Sequence, residues 1–332
     1  MKRASAIIFD FIFFAYLTGC IIFLINQIFS WNTFTIPGLI LTTLLIVLLT
    51  VFFQLLNDSI GLRITEFKTL LVRRFFRTFS GWFIIFLLII TLVVGWIIVE
   101  VNISDFLMGM NNTKGILSGL FSPNLKNLLP MLSALAETIY LALLATVFAI
   151  PFAFLFSFLA ARNLMPNTFW GNLVYIAVRT LATFSRSVEA VVWAIIFCVW
   201  VGIGPFAGML ALLVHSIAAL TKLYSEQIEN INQGPVEAIR GTGASTLQTW
   251  LYAVIPQIVS PYLAFTIYRW DINVRMATIV GFVGGGGIGL ALQQEQQFLR
   301  WHNVGLIIWL IAIVIWIMDM ISGKIRARLM EL

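Results

Sequence analysis

Long runs of Ile, Leu, Val and Phe recur along this chain, parted by short polar clusters. A bilayer core about 30 Å thick is crossed by roughly 20 apolar residues in an α-helix. Runs of about that length at 7–28, 37–56, 82–101, 131–160, 187–202, 205–223, 253–283 and 304–322 predict about eight spans. The fourth and seventh are long and contain Pro151, and Pro256 with Pro261, so kinks or tilts are expected there. The fold class expected is all-α transmembrane, a polytopic helical bundle.

Composition sharpens this picture. Of 332 residues, 61% are hydrophobic and 10% charged, and mean hydropathy is +1.00. One soluble core could not hide that much apolar surface. Cys20 and Cys198 both lie in apolar runs, and His215 and His302 lack a Cys or acidic cluster. Neither a disulfide nor a metal site is expected. The net charge of +6 has no polar domain to carry it, so no nucleic-acid partner is expected.

The charges report topology instead. With the N-terminus in the cytoplasm, the inner side holds Lys2, Arg3, Arg63, Lys68, Arg73, Arg74, Arg77, Arg162, Arg179, Arg186, Lys222, Arg240, Lys324, Arg326 and Arg328. Only Lys114, Lys126 and Arg300 fall outside. An even number of spans with both termini cytoplasmic follows. The first apolar run has no A-x-A site and reads as a retained span rather than a cleaved signal. Organisation divides near residue 80: 1–80 is a pair of spans with a basic loop, and 81–332 is a six-span core.

Residues 236–257 break the apolar pattern with small residues, one acid, one base and two glycines before Pro256. Pro235 suits the first helical position. A short helix is expected through Glu237, Ala238, Ile239 and Arg240. Gly241 and Gly243 end it, and Ser245-x-x-Gln248 reads as a capping box opening a second helix. The result is a bent helix-turn-helix on the cytoplasmic face, with Ala238, Gly241, Gly243, Ala244 and Ser245 at its elbow. The plain alternative is a loop that only reverses the chain.

The spacing Glu237-Ala238-Ile239, three residues, Gly243, then Ile255-Pro256 resembles the cytoplasmic "EAA" loop of ABC importer permeases. It departs at Ile239, Ala253 and Ile255, all apolar. Further stretches, Phe158–Met165, Val201–Ser216, Lys222–Thr246 and Tyr268–Leu290, resemble the permease family of phosphonate ABC importers. The resemblance implies a six-span type I ABC importer permease core plus two extra N-terminal spans. It implies that Glu237, Ala238, Ile239, Arg240, Gly241, Gly243, Ala244 and Ser245, within a cytoplasmic coupling loop 224–252, dock on a separate ATPase. No G-x-x-x-x-G-K-[ST] motif is present. The chain itself is therefore expected to be no enzyme and to hold no cofactor, with ATP and Mg bound by two partner ATP-binding ABC subunits. An extracytoplasmic phosphonate-binding protein, a second permease chain (a homodimer) and the lipid bilayer complete the expected partners. The expected location is the bacterial inner membrane.

Ionisable residues within spans mark pathways by default. Arg269, Asp271, Asn273 and Arg275 are the pathway candidates. Asp271 and Arg275 are spaced to pair on one helix face, and Arg275, with Arg269 near it as a second source, is expected to supply positive potential for the anionic phosphonate. The structural alternative is an ion pair and nothing more. Gly281, Gly284, Gly285, Gly286, Gly287 and Gly289 are expected to form a gate or turn. Gly284-x-Gly286-x-x-Gly289 matches the dinucleotide fingerprint only in letters, since it follows an apolar helix and lacks the later acid. Glu137 and Glu189 read as interfacial caps, and His215 as a packed residue. An ion-gradient-driven secondary transporter and a non-transporting membrane scaffold stay open as alternatives.

Overall fold

The computed structural model describes residues 2–29, 36–55 and 79–330. The basic stretch 57–78 lies outside them, as do the charges placed there. The chain separates into two compact units, Met1–Gly109 and Met110–Leu332. Compactness thus cuts the chain at a different place from the sequence boundary near residue 80, which follows charge and resemblance.

In the first unit, α1 (Lys2–Phe29) packs against α2 (Ile36–Leu55) and α3 (Phe79–Ile98). The Tyr16 hydroxyl donates to Thr91 Oγ1 across α1 and α3 at 3.0 Å. α3 bends by 53° into α4 (Ile103–Asn112), which runs across the boundary between the units.

The second unit begins with α5 (Lys114–Phe121) and a 3-10 turn at Leu125–Asn127. α6 (Leu128–Leu159), α7 (Phe169–Ser187), α8 (Ala190–Val201), α9 (Pro205–Glu229), α10 (Gln233–Gly241) and α11 (Thr246–Thr249) follow. A π segment at Trp250–Val254 leads into α12 (Ile255–Val280), and a second at Gly281–Gly285 leads to α13 (Gly287–Gln297) and α14 (Trp301–Met330). Ala142, Ala145, Ala149 and Ala153 on α6 are fully buried. Their spacing of three and four places them on one face, and α6 packs most extensively on α9. Small residues let helices approach closely where lipid removes the hydrophobic drive for association.

Among the described residues, five helices are long and apolar enough to cross a membrane, and two bent pairs, α3–α4 and α7–α8, raise the number to seven. With the shorter apolar stretch Thr42–Phe52 in α2, each of the eight sequence spans has a counterpart. The fifth differs in form. Residues 169–187, read as part of an inner-side connection, form α7, which meets α8 at 90°. Arg179 and Arg186 interrupt its apolar run, so composition hides a helix that periodicity would reveal.

Candidate functional site

The site begins at the C-terminal end of α9. Asn232 caps α10, its Oδ1 accepting from Gly234 N at 2.9 Å. Pro235 therefore falls third in the helix rather than first, still within the turn whose N–H groups lack helical partners. Val236 is buried and Ile239 packs against the same core, while Glu237, Ala238, Arg240 and Gly241 face outward. α10 ends at Gly241. Gly243 follows at φ +81°, a left-handed conformation that glycine adopts without a side-chain clash. Ser245 N then donates to Gln248 Oε1 at 2.8 Å and Gln248 N to Ser245 Oγ at 3.4 Å. This is the expected capping box. Around Gly241 and Gly243 there is open space.

The elbow is braced from behind. Asn232 N donates to Gln257 Oε1 at 3.0 Å, and Gln257 Nε2 returns a bond to Asn232 O at 3.3 Å. Glu229 Oε1 accepts from Arg162 N at 2.9 Å and from Arg179 Nη1 at 2.6 Å. Deeper in, the Tyr224 and Tyr262 rings stack 3.7 Å apart, and the Tyr262 hydroxyl donates to Tyr224 O at 3.1 Å. These bonds tie α7, α9 and α12 to the segment that leads into the elbow, and Val236 at the start of the elbow shares a buried cluster with Ala149, Ala153 and Phe158 of α6.

The charged residues of α12 fall into two groups. Arg275 Nη2 lies 2.7 Å from Asp271 Oδ2 and 3.2 Å from Asp319 Oδ1 on α14. The i,i+4 pair thus forms as spaced. Arg269 does not join it. It is 5% exposed and points to α9, where its Nε donates to Ser216 Oγ at 3.0 Å. Asn273 Nδ2 donates to the same Ser216 Oγ and to Thr146 Oγ1, both at 2.8 Å. Two residues along a helix turn the side chain by about 200°, so Arg269 and Asn273 share one face and Asp271 with Arg275 the other. Among the described residues, the buried Arg269 Nη2 and Asp271 Oδ1 make no hydrogen bond.

The glycine run breaks the helix. Gly284, Gly286 and Gly287 have φ of +103°, +79° and +67°. Gly204 N donates to Gly284 O at 2.9 Å, holding the break on the start of α9. Glu137 Oε1 accepts from Gly287 N at 3.0 Å and Thr138 Oγ1 from Ile288 N at 2.7 Å. Glu137 therefore caps a helix 150 residues away, a role that its place in sequence does not disclose. Glu189 stands at the N-cap position of α8 but makes no side-chain cap bond.

Residues 153–329 match the family of binding-protein-dependent transport system inner membrane components. The chain belongs to this family. The matched segment holds the elbow, its braces, the charged face of α12 and the glycine break. The phosphite transport system permease protein PtxC of Stutzerimonas stutzeri is 31% identical over 71% of this chain and 85% of its own length. The phosphate-import permease protein PhnE of Mycolicibacterium smegmatis is 35% identical over 67% of this chain and 41% of its own. A solved structure of the MetNI methionine ABC transporter, inward facing, aligns at 20% identity and a TM-score of 0.49, over 60% of this chain and 95% of that one.

Proposed function

We propose that this chain is the transmembrane permease subunit of an ATP-driven ABC importer that carries a phosphorus oxyanion, whether phosphite, phosphate or a phosphonate, into the cytoplasm. The observation that carries the reading is the elbow Glu237–Ser245: outward-facing, small at its bend and braced onto four helices. A rigid lever with open space at its tip suits a partner that pushes on it. Two ATP-binding subunits supply ATP, Mg and hydrolysis; two copies of this chain form one pathway; an extracytoplasmic binding protein delivers the anion. The elbow and both termini lie in the cytoplasm, and the glycine break faces outward as a gate pinned by Glu137 and Thr138. Alternating access follows when the lever moves packed helices between two arrangements.

Along the pathway we assign Arg269, with Asn273 beside it, as the group that meets the anion; the unpaired Nη2 of Arg269 supports this. Asp271 and Arg275 act as a brace to Asp319. The named relatives carry phosphite and phosphate, which supports the anion class. The test is ATPase activity of the reconstituted complex with its binding protein loaded with phosphite, phosphate or a phosphonate in turn. Stimulation by one anion, abolished by Gly243→Arg, is expected. An intact complex that no anion stimulates, with uptake driven by an ion gradient alone, would leave a secondary transporter.

A further inference from the structure

At the end of the second unit away from the elbow, a cavity of about 590 Å³ opens between α5, the Leu125–Asn127 turn and the start of α14. α6 separates the two ends. It begins beside the cavity at Leu128, and at its far end Phe158 lies against Trp250, next to the elbow, with ring centroids 5.3 Å apart. The cavity walls include Ser118, Asn124, Asn127, Arg300, His302 and Asn303. This composition is foreign to a chain in which 61% of residues are hydrophobic.

The walls are fixed in place. Backbone meets backbone where α5 crosses α14, since a methyl group on Gly119 or Gly305 would overlap the other helix's backbone. Asn124 Nδ2 donates to Asn303 Oδ1 at 3.1 Å, and Asn303 Nδ2 to Glu295 Oε2 at 2.8 Å. Glu295 Oε1 in turn lies 3.6 Å from Arg300 Nη1. The Arg300 guanidinium also rests 5.1 Å from the centre of the Phe298 ring. His302 Nδ1 donates to Ser122 O at 2.8 Å, which anchors the imidazole in the wall. Leu299 sits at φ +55°, a left-handed conformation that costs a leucine roughly 1–2 kcal/mol. The turn that presents Arg300 is thus held against its own preference.

Arg300 and Asn127 keep unused donors. Arg300 touches Glu295 through one side of its guanidinium, and its side chain is 60% exposed. Asn127 occupies the N-cap position of α6 yet makes no side-chain cap bond. The cation distribution agrees. Positive charge is disfavoured on the outer side of a membrane protein, and only Lys114, Lys126 and Arg300 fall there by the charge count. All three line this cavity or adjoin its lining residues in sequence.

We infer that this basin is a receiving site for a tetrahedral phosphorus oxyanion, bound through Arg300 and Asn127 before it enters the pathway. The inference rests on the importer reading, which turns this end of the bundle outward. A planar guanidinium presents paired N–H donors that match phosphorus oxyanions. A water takes about 30 Å³ in the liquid, so the cavity holds such an anion together with hydrating waters. The basin would raise the local anion concentration at the gate without closing over it.

The experiment is ³¹P relaxation of inorganic phosphite added to the intact, nucleotide-free complex in dodecyl maltoside, without binding protein. Wild-type complex is expected to broaden the phosphite line. Arg300→Gln should weaken that binding by about tenfold, the loss of one charge-assisted hydrogen bond, and Asn127→Ala by less. Elution volume and unfolding temperature would verify that both variants assemble. No broadening by wild type would overturn the inference, as would equal broadening by wild type and Arg300→Gln. Weaker capture of the binding protein by Arg300→Gln, with phosphite relaxation unchanged, would overturn it in favour of a protein-docking face. Stimulated ATPase activity, measured on the same preparation once ATP and loaded binding protein are added, tests the importer reading separately: stimulation without broadening sinks the basin alone, and broadening without stimulation sinks the importer alone.

Discussion

The elbow and the glycine break are both built from small residues, for opposite reasons. At the elbow, a methyl group added to Gly241 or Gly243 would meet nothing within 4 Å. At the break, one added to Gly281, Gly285, Gly286, Gly287 or Gly289 would collide with Gly286, Val280, Pro205, Thr138 or Thr278. The break is small because its own chain fills the space. At the elbow Gly243 is required by its φ of +81°, whereas at Gly241 the chain itself leaves the space empty. The charges of α12 repeat the contrast. Arg275 is satisfied within the chain by Asp271 and Asp319, whereas Arg269 keeps a buried nitrogen unpaired.

The largest effect should come from removing a satisfied charge. Arg275→Gln leaves the Asp271 side chain, 2% exposed, without its partner, at a cost of about 3–5 kcal/mol. Unfolding of the purified complex should report it, and the double variant Asp271→Asn/Arg275→Gln should recover most of the loss. Arg269→Gln should cost less stability, about 1 kcal/mol for the lost bond to Ser216, while lowering uptake. If both arginines prove equally costly to stability, the distinction between them fails.

Next in size, Gly289→Ala should destabilise by about 1–3 kcal/mol, as overpacking does in a filled core. It should reduce the yield of assembled complex. Ser245→Ala removes one half of the capping box and should cost about 1 kcal/mol, read as faster hydrogen exchange in residues 246–249. Smallest is Gly241→Ala, in a helical position with open space. It should stabilise α10 by up to about 1 kcal/mol. Its larger homologue Gly241→Arg should leave the fold intact and abolish substrate-stimulated ATPase activity. Stimulation at the wild-type level in that variant would mean that nothing docks on the elbow.

Local features were readable from the sequence because they depend on neighbours in the chain. The spans follow from runs of apolar residues, the capping box from Ser245 and Gln248 three apart, and the Asp271–Arg275 pair from i,i+4 spacing. The break at Gly281–Gly289 follows from glycine density. α7 was missed because its two arginines shorten the apolar run, and the strongest cue to it would have been Thr168, whose side chain accepts from Gly171 N and caps the helix. Glu137 was read as a cap, but of its own surroundings rather than of Gly287.

By itself, then, the sequence determined a helical membrane bundle, its likeness to importer permeases and the position of the elbow. Each rests on periodicity or on contacts within one or two helical turns. Only the tertiary structure decided which arginine keeps an unpaired nitrogen, which glycines are walled in and where polar residues gather around a cavity. Those properties depend on pairs far apart in the chain, such as Arg275 with Asp319, 44 residues on, and Asn124 with Asn303, 179 residues on. Spacing sets which side chains share a helix face. Whether that face meets a partner, a neighbour or an open basin is set by the packing of the other helices around it.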